Sequence, residues 1–339
     1  MGFNDIQGHA PQIRRLKSRI QHDRLSGAYI FCGPEGIGKK MVASAFAQAV
    51  NCPQNSGEAC GVCPSCMKIA RGTHPDVHYI GTQGPDQTES GAGEGSRRKA
   101  PAESRGEIKI DDIRLLQQEI SLRPYEAKYK VFIVDDAHML NPEASNAFLK
   151  TLEEPPKNSV IILITDKPRL LFKTVVSRCW TIKFSALSPE EFMQALGERL
   201  ALGDTALRYL ALACEGRLGS ALSQGASDVL AHKNRIIDYF TASPPNHSVE
   251  NSFIQDRAQL KESLQVLVGL LRDIYVYKTG ADVSRLVNSD RSELLKRLAG
   301  QISFARLDQV MQTIQESLLA LEQNANIKLV LANVLSAVS

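Results

Sequence analysis

Residues 28–39 read Ala28-Tyr29-Ile30-Phe31-Cys32-Gly33-Pro34-Glu35-Gly36-Ile37-Gly38-Lys39, and this stretch decides the fold. An apolar run passes directly into the pattern GxxxxGK, and a helical run follows it. In that setting the backbone N–H groups of the loop, with the positive end of the next helix, make a cradle for phosphate oxygens. Gly33, Gly36, Gly38 and Lys39 are the candidate phosphate-binding residues, with Lys39 placed to reach the β- and γ-phosphates of a nucleotide such as ATP. A glycine-rich turn without a ligand is the competing reading, and the strand before and helix after argue against it.

Outward from the loop, short apolar strands alternate with amphipathic helices, the pattern of an α/β domain with a parallel sheet. The expected strands are Ala28–Cys32, Val77–Ile80, Val131–Asp135, Val160–Thr165 and Trp180–Phe184, whose near-continuous apolar runs suit burial on both faces. Asn141-Pro142 marks a helix start and Pro155-Pro156 its end. Ser188-Pro189-Glu190-Glu191 reads as a capping box that opens a new helical segment. Beyond it nearly everything reads as helix, including Leu260–Tyr277 and Leu307–Leu321. The expected division is a nucleotide fold over 1–185, a small helical lid over 186–227 and an all-α domain over 228–339. The stretch 82–106 has no aromatic residue and no aliphatic one larger than alanine, so a disordered insertion is expected there. Its Arg97-Arg98-Lys99 reads as a solvated charge run rather than a DNA contact.

Bulk properties narrow the function classes. The 339 residues carry a net charge of +3 and are 43% hydrophobic, which permits a nucleic-acid partner without arguing for one. No apolar run is long enough to span a membrane, and the first residues lack a secretion signal. A cytoplasmic protein is expected, whose seven cysteines serve as thiols or metal ligands rather than disulfides. Cys52, Cys60, Cys63 and Cys66 form C-x7-C-x2-C-x2-C, and four thiolates so spaced suit a closed, structural Zn2+ site over 52–66. An iron–sulfur cluster is the alternative, but its usual spacing is lacking. His74 reads as a packing or loop residue rather than a further ligand. Cys32, Cys179 and Cys214 read as buried small residues.

The phosphate loop is altered. Where a hydroxyl should hold Mg2+, the chain has Lys40, whose ammonium cannot ligate a cation and competes with it for phosphate charge. Nucleotide binding stays open, whereas metal-dependent hydrolysis is expected to suffer. Val131–Asp136 is an apolar strand ending in carboxylates, with Asp135 at the position that serves Mg2+.

Ser145-Asn146-Ala147-Phe148-Leu149-Lys150-Thr151-Leu152-Glu153-Glu154-Pro155-Pro156, followed by Val176-Ser177-Arg178-Cys179, resembles the clamp-loader branch of the AAA+ ATPases. The resemblance covers the first two domains well and the last loosely, through Leu271–Tyr275 and Asn324–Leu335. It implies that Arg178 is held towards a neighbouring subunit's ATP as an arginine finger. It places Thr165 at the sensor 1 position and Gly219 where the sensor 2 arginine stands, with Arg217 on another helix face. Active relatives carry glutamate where this chain has Asp136. One methylene fewer draws that carboxylate back by about 1.5 Å, and misplacement on the order of 1 Å can lower a rate about 10²-fold. Lys40, Asp136 and Gly219 fall at separate positions of one reaction, so ATP hydrolysis is expected to be lost or nearly lost.

Keeping the residue that serves a neighbour while losing those that serve itself is similar to the δ′ branch of bacterial clamp-loader subunits. That resemblance implies a scaffold with a helical oligomerisation collar, in a five-subunit ring with an ATPase subunit and a clamp-opening subunit. The ring loads a sliding clamp onto primed DNA for DNA polymerase III. One rival is the ATP-hydrolysing motor subunit, which calls for Ser or Thr at 40, Glu at 136 and Arg at 219. Another is a zinc-dependent nucleic-acid-binding module with a vestigial phosphate loop. A P-loop kinase explains neither Ser-Arg-Cys nor the helical tail.

Overall fold

The computed structural model describes residues 2–22, 25, 27–54, 57–81, 106–199, 202–214, 216–223, 229–241, 254, 256–280 and 286–338. The insertion expected over 82–106 lies outside the described residues except for Gly106.

Five apolar runs build one parallel sheet: β1 (Gly27–Cys32), β2 (Val77–Ile80), β3 (Lys130–Val134), β4 (Ser159–Thr165) and β5 (Cys179–Lys183). Each starts and ends within one residue of the expected run, so Asp135 lies just past β3 and Phe184 just past β5. The spatial order is β2-β3-β4-β1-β5, with every neighbour parallel. The central strands are largely apolar because both of their faces are covered. Tyr29, Phe31, Ile133 and Ile162 point into one core with α1 (Ala10–Gln21) and α2 (Lys39–Asn51). Ile30, Phe132, Val134 and Leu163 point into the other with α4 (Ile110–Ser121) and α5 (Pro142–Glu153). A shorter α3 (Pro64–Ala70) leads into β2, and α6 (Lys173–Val176) into β5.

Helix ends follow their local chemistry. Asn141 Oδ1 accepts the Ala144 N–H at 2.8 Å, and Pro142 takes the first helical position. The box at 188–191 closes in both directions: Ser188 N–H donates to Glu191 Oε2 at 3.0 Å and Glu191 N–H to Ser188 Oγ at 3.2 Å. It opens α7 (Pro189–Gly197).

The chain forms two compact units, residues 1–191 with 217–219, and residues 192–216 with 220–339. The second is helical, with α8 (Asp204–Ala213), α10 (Val229–Thr241), α11 (Arg257–Lys278), α12 (Ser292–Gln301), α13 (Phe304–Glu322) and α14 (Ile327–Val338). A short α9 (Leu218–Ser223) runs across the division. Leu264, Leu267, Ile274, Leu307, Ile314 and Val334 sit at the centre of the second unit. The expected helical runs 260–277 and 307–321 fall inside α11 and α13, each capped by a side chain, Asp256 and Ser303. Among the described residues, no helix is long and apolar enough to cross a membrane.

Candidate functional site

The phosphate loop leaves β1 at the point where the chain crosses from the sheet centre to its far edge, the usual place for a ligand crevice. Gly33 opens it at φ 156. A Cβ there would stand 2.4 Å from the Phe184 carbonyl oxygen, so only glycine fits. Three neighbours hold the loop from outside. Gly33 N–H donates to the Thr165 carbonyl at 3.2 Å, and Gly219 N–H donates to the Gly36 carbonyl at 2.8 Å. His9 Nε2 donates to the Ile37 carbonyl at 2.7 Å. Lys39 is only 8% exposed, and its ammonium donates to the Gly33 and Pro34 carbonyls at 2.7 and 2.6 Å. Burial lowers its pKa, against the opposing pull of the Asp166, Asp135 and Glu35 carboxylates.

Lys40, the second residue of α2, places its ammonium 3.6 Å from Asp135 Oδ2. Burial pushes the Asp135 carboxyl up, and the Lys40 charge pulls it back. The next residue, Asp136, adopts a left-handed backbone (φ 50) and donates its N–H to Asp135 Oδ1 at 3.1 Å. Thr165 lies at the end of β4, where its hydroxyl pairs with His138 Nδ1 at 3.2 Å and accepts the Lys167 N–H at 3.0 Å. The site residues expected from sequence therefore come together around the loop, apart from Arg178 and the cysteines. One expectation is corrected: Arg217 precedes α9 instead of lying on another face of it.

Gly219 has a geometric reason to lack a side chain. A Cβ on it would meet the Gly36 carbonyl oxygen at 2.7 Å. Its backbone therefore packs directly against that of Gly36, with the Gly219 N–H on the Gly36 carbonyl.

Arg178 sits just before β5, with its guanidinium held by the end of α5 and by the turn of α6. Its Nε donates to Glu153 Oε2 at 3.0 Å, and its Nη1 donates to the Thr174 carbonyl at 3.0 Å. The side chain is 31% exposed.

Cys52, Cys60, Cys63 and Cys66 bring their sulfurs within 4.8 Å of one another. The turn donates its own amides to them: Cys60 N–H to Cys52 Sγ at 3.5 Å, Cys63 N–H to Cys60 Sγ at 3.3 Å, and Cys66 N–H to Cys63 Sγ at 3.4 Å. Backbone N–H groups of Val62 and Cys63 hold the Cys60 thiol down at about 6, whereas burial pushes Cys66 up to about 12. A bound cation would stabilise all four as thiolates, and the donor set fits one metal ion. His74 stands outside this set. Its Nε2 donates to Ser65 Oγ at 3.2 Å and its Nδ1 accepts the Asp76 N–H at 3.1 Å. Of the remaining cysteines, Cys32 and Cys214 are buried and Cys179 is half-buried, its thiol pushed by burial up to about 12.

The family model described as DNA polymerase III, delta subunit, matches residues 8–188. The chain belongs to that family. A second model, for the C-terminal part of the DNA polymerase III delta subunit, matches residues 245–339 of this delta-family chain. It is 27% identical to DNA polymerase III subunit delta′ of Bacillus subtilis (strain 168), over 96% of this chain and 94% of that protein. It is 26% identical to subunit tau of the same organism, over 93% of this chain but only 57% of that longer protein's length. A solved structure of a gamma subunit-related protein from Thermotoga maritima is 21% identical, covering 96% of this chain and 98% of its own, with a TM-score of 0.46.

Three residues of the site in this delta-family chain escape sequence reading. His9 lies 28 positions from the carbonyl it holds, and nothing local marks it. His138 and Asp166 each neighbour a residue the motifs single out. With Asp136 they bring three ligand-type atoms within 4.8 Å. The only sequence signal was their place beside Asp136 and Thr165.

Proposed function

We propose that this chain is a δ′-type subunit of a DNA polymerase III clamp loader, a scaffold that acts on its neighbour's ATP and hydrolyses none itself. The observation that carries this reading is a contrast between two cations. Arg178 is oriented at Glu153 and Thr174 with its Nη2 edge taking no hydrogen bond among the described residues. Lys40 instead lies against Asp135, the carboxylate that hydrolysis would need for metal. A guanidinium supplied in trans stabilises charge on the transferring phosphoryl group and can be worth roughly 10³–10⁵ in rate.

In this reading the nucleotide fold spans 1–185, the lid 186–227 and the oligomerisation collar 228–339. The partners are an ATPase subunit and a clamp-opening subunit in a five-subunit ring, with the sliding clamp and primed DNA, in the cytoplasm. The subunit family named by the matched models and the near full-length likeness to a delta′ subunit support this assignment. Contacts to the DNA backbone would be electrostatic and weaken with salt. The cysteine cluster holds Zn2+ as a structural ion that ties the 52–66 segment together.

The test reconstitutes the loader with its ATPase partner, clamp and primed DNA, and compares ATP turnover between wild type and Arg178→Ala. A fall of about tenfold or more, some 1.4 kcal/mol of transition-state stabilisation, with assembly intact supports the finger. Unchanged turnover in an intact complex removes it. Failure of the chain to join any such complex favours the zinc-dependent nucleic-acid-binding module, and ATP turnover by the chain alone favours the motor subunit.

A further inference from the structure

The fold family implies Mg2+ at a phosphate loop, and the residues present do not fit it. Mg2+ demands near-octahedral oxygen ligands and keeps several waters. Here the residue after Lys39 offers three N–H donors and no acceptor, and its ammonium lies 3.6 Å from Asp135 Oδ2. The carboxylate that would serve the metal is thus engaged by a cation that belongs to the chain.

The loop itself keeps its anion-binding geometry. Its Gly36 and Ile37 carbonyls are directed outward, onto Gly219 N–H and His9 Nε2. In a trans peptide the C=O of one residue and the N–H of the next point in opposite directions. The N–H groups of Ile37 and Gly38 therefore face the other way, into the concavity, and continue into the N-terminus of α2. Successive amides so arranged form a concavity that binds anions. The pinning is done by protein groups on the outer side, so the amides are oriented in advance of any ligand. The Asp166, Asp135 and Glu35 carboxylates act on the Lys39 ammonium at this loop. A polyphosphate needs cations there, and Lys39 and Lys40 supply two.

We propose that this loop binds a nucleoside di- or triphosphate without a divalent metal, with the Lys40 ammonium, steadied by Asp135, standing in for Mg2+. A single charge on a flexible stem neutralises a phosphate but polarises it less than a dication, and it positions no water. Such a site retains ligand and does no hydrolysis. Nucleotide here would then be held without turnover, with an affinity independent of cellular Mg2+. This inference does not depend on Arg178 or on any partner, since it concerns the chain alone.

The experiment titrates the full-length, zinc-loaded chain with a fluorescent ADP analogue and with ATPγS. It runs in buffer freed of Mg2+ by resin beforehand, because a soluble chelator would strip the cysteine site, and again with Mg2+ added. The wild type is expected to bind in both buffers with dissociation constants that agree within about twofold. Lys40→Thr restores a hydroxyl and frees Asp135, and its binding should then tighten by about tenfold or more when Mg2+ is added. The proposal is overturned if wild-type binding is absent without Mg2+, or if Mg2+ strengthens it by about tenfold. It is also overturned if a folded Lys40→Thr chain gains no Mg2+ dependence. The wild-type comparison decides the matter even where the variant fails to fold.

Discussion

Glu153 and Arg178 stand 25 positions apart and share one hydrogen bond of 3.0 Å, which couples the end of the 145–156 stretch to Val176–Cys179. Glu153 is well exposed, so the pair adds little to stability, about 1 kcal/mol at most. Its value is in direction: by holding Nε, the carboxylate fixes the plane of the guanidinium, and Nη2 takes no hydrogen bond among the described residues. Glu153→Gln is therefore expected to leave the melting temperature within a few degrees of wild type. It should lower turnover of the reconstituted loader several-fold, less than Arg178→Ala does. Raising the salt concentration should narrow the difference from wild type, because an exposed pair is screened. An equal loss in both variants, or none in Glu153→Gln, would show that the carboxylate does not orient the finger.

At the scale of elements, the edge strand β2 is held by a carboxylate just before it. Asp76 is 1% exposed and accepts the Tyr125, Glu126 and Ala127 N–H groups at 2.7, 2.9 and 2.9 Å, tying the segment after α4 to the sheet. Burial pushes its pKa up, but the three backbone donors outweigh that and hold it below the ordinary carboxylate range. A carboxyl whose folded pKa is depressed contributes stability above its unfolded pKa, about 3.9, and loses it as pH falls through the folded value. His74 beside it is shifted down mainly by burial. The unfolded imidazole takes a proton first, so stability already declines below about pH 6.5. Asp76→Ala removes the shared acceptor of three part-buried amides and is expected to destabilise the first unit by about 2 kcal/mol at neutral pH. Denaturant titration measures this. The gap between variant and wild type should shrink in acid, and a gap that widens there would contradict the assigned sign.

Across the whole molecule, the cysteine cluster is a contribution to stability that depends on solution conditions. Metal bound only by the folded state stabilises by about 4 kcal/mol when the free ion exceeds its dissociation constant about a thousandfold. Removing it with a chelator should lower the melting temperature of the first unit and return it on adding Zn2+. Cys63→Ser should bind less than one equivalent of metal and melt at the chelated temperature. If chelation leaves melting unchanged, the cysteines are held without an ion. The all-α part has its own device in Asp273, fully buried in α11, which accepts the Val287 and Asn288 N–H groups at 3.0 and 2.7 Å. Nothing in Leu271–Tyr275 as a string distinguishes that aspartate from a solvated one.

The sequence by itself determined the parts whose chemistry is local. GxxxxGK between strand and helix, Lys40 in place of a hydroxyl after it, the cysteine spacing and the capping box at 188–191 all act within a few residues along the chain. Propensity and valence act at that range, so these could be read in order. The tertiary structure alone decided which distant groups meet: His9 and Gly219 on the loop carbonyls, Lys40 on Asp135, Glu153 on Arg178 and Asp76 on the 125–127 amides. Those partners are brought together by the order β2-β3-β4-β1-β5. That order is set by burying both faces of the sheet at once, a condition on the whole unit that no local window of sequence contains.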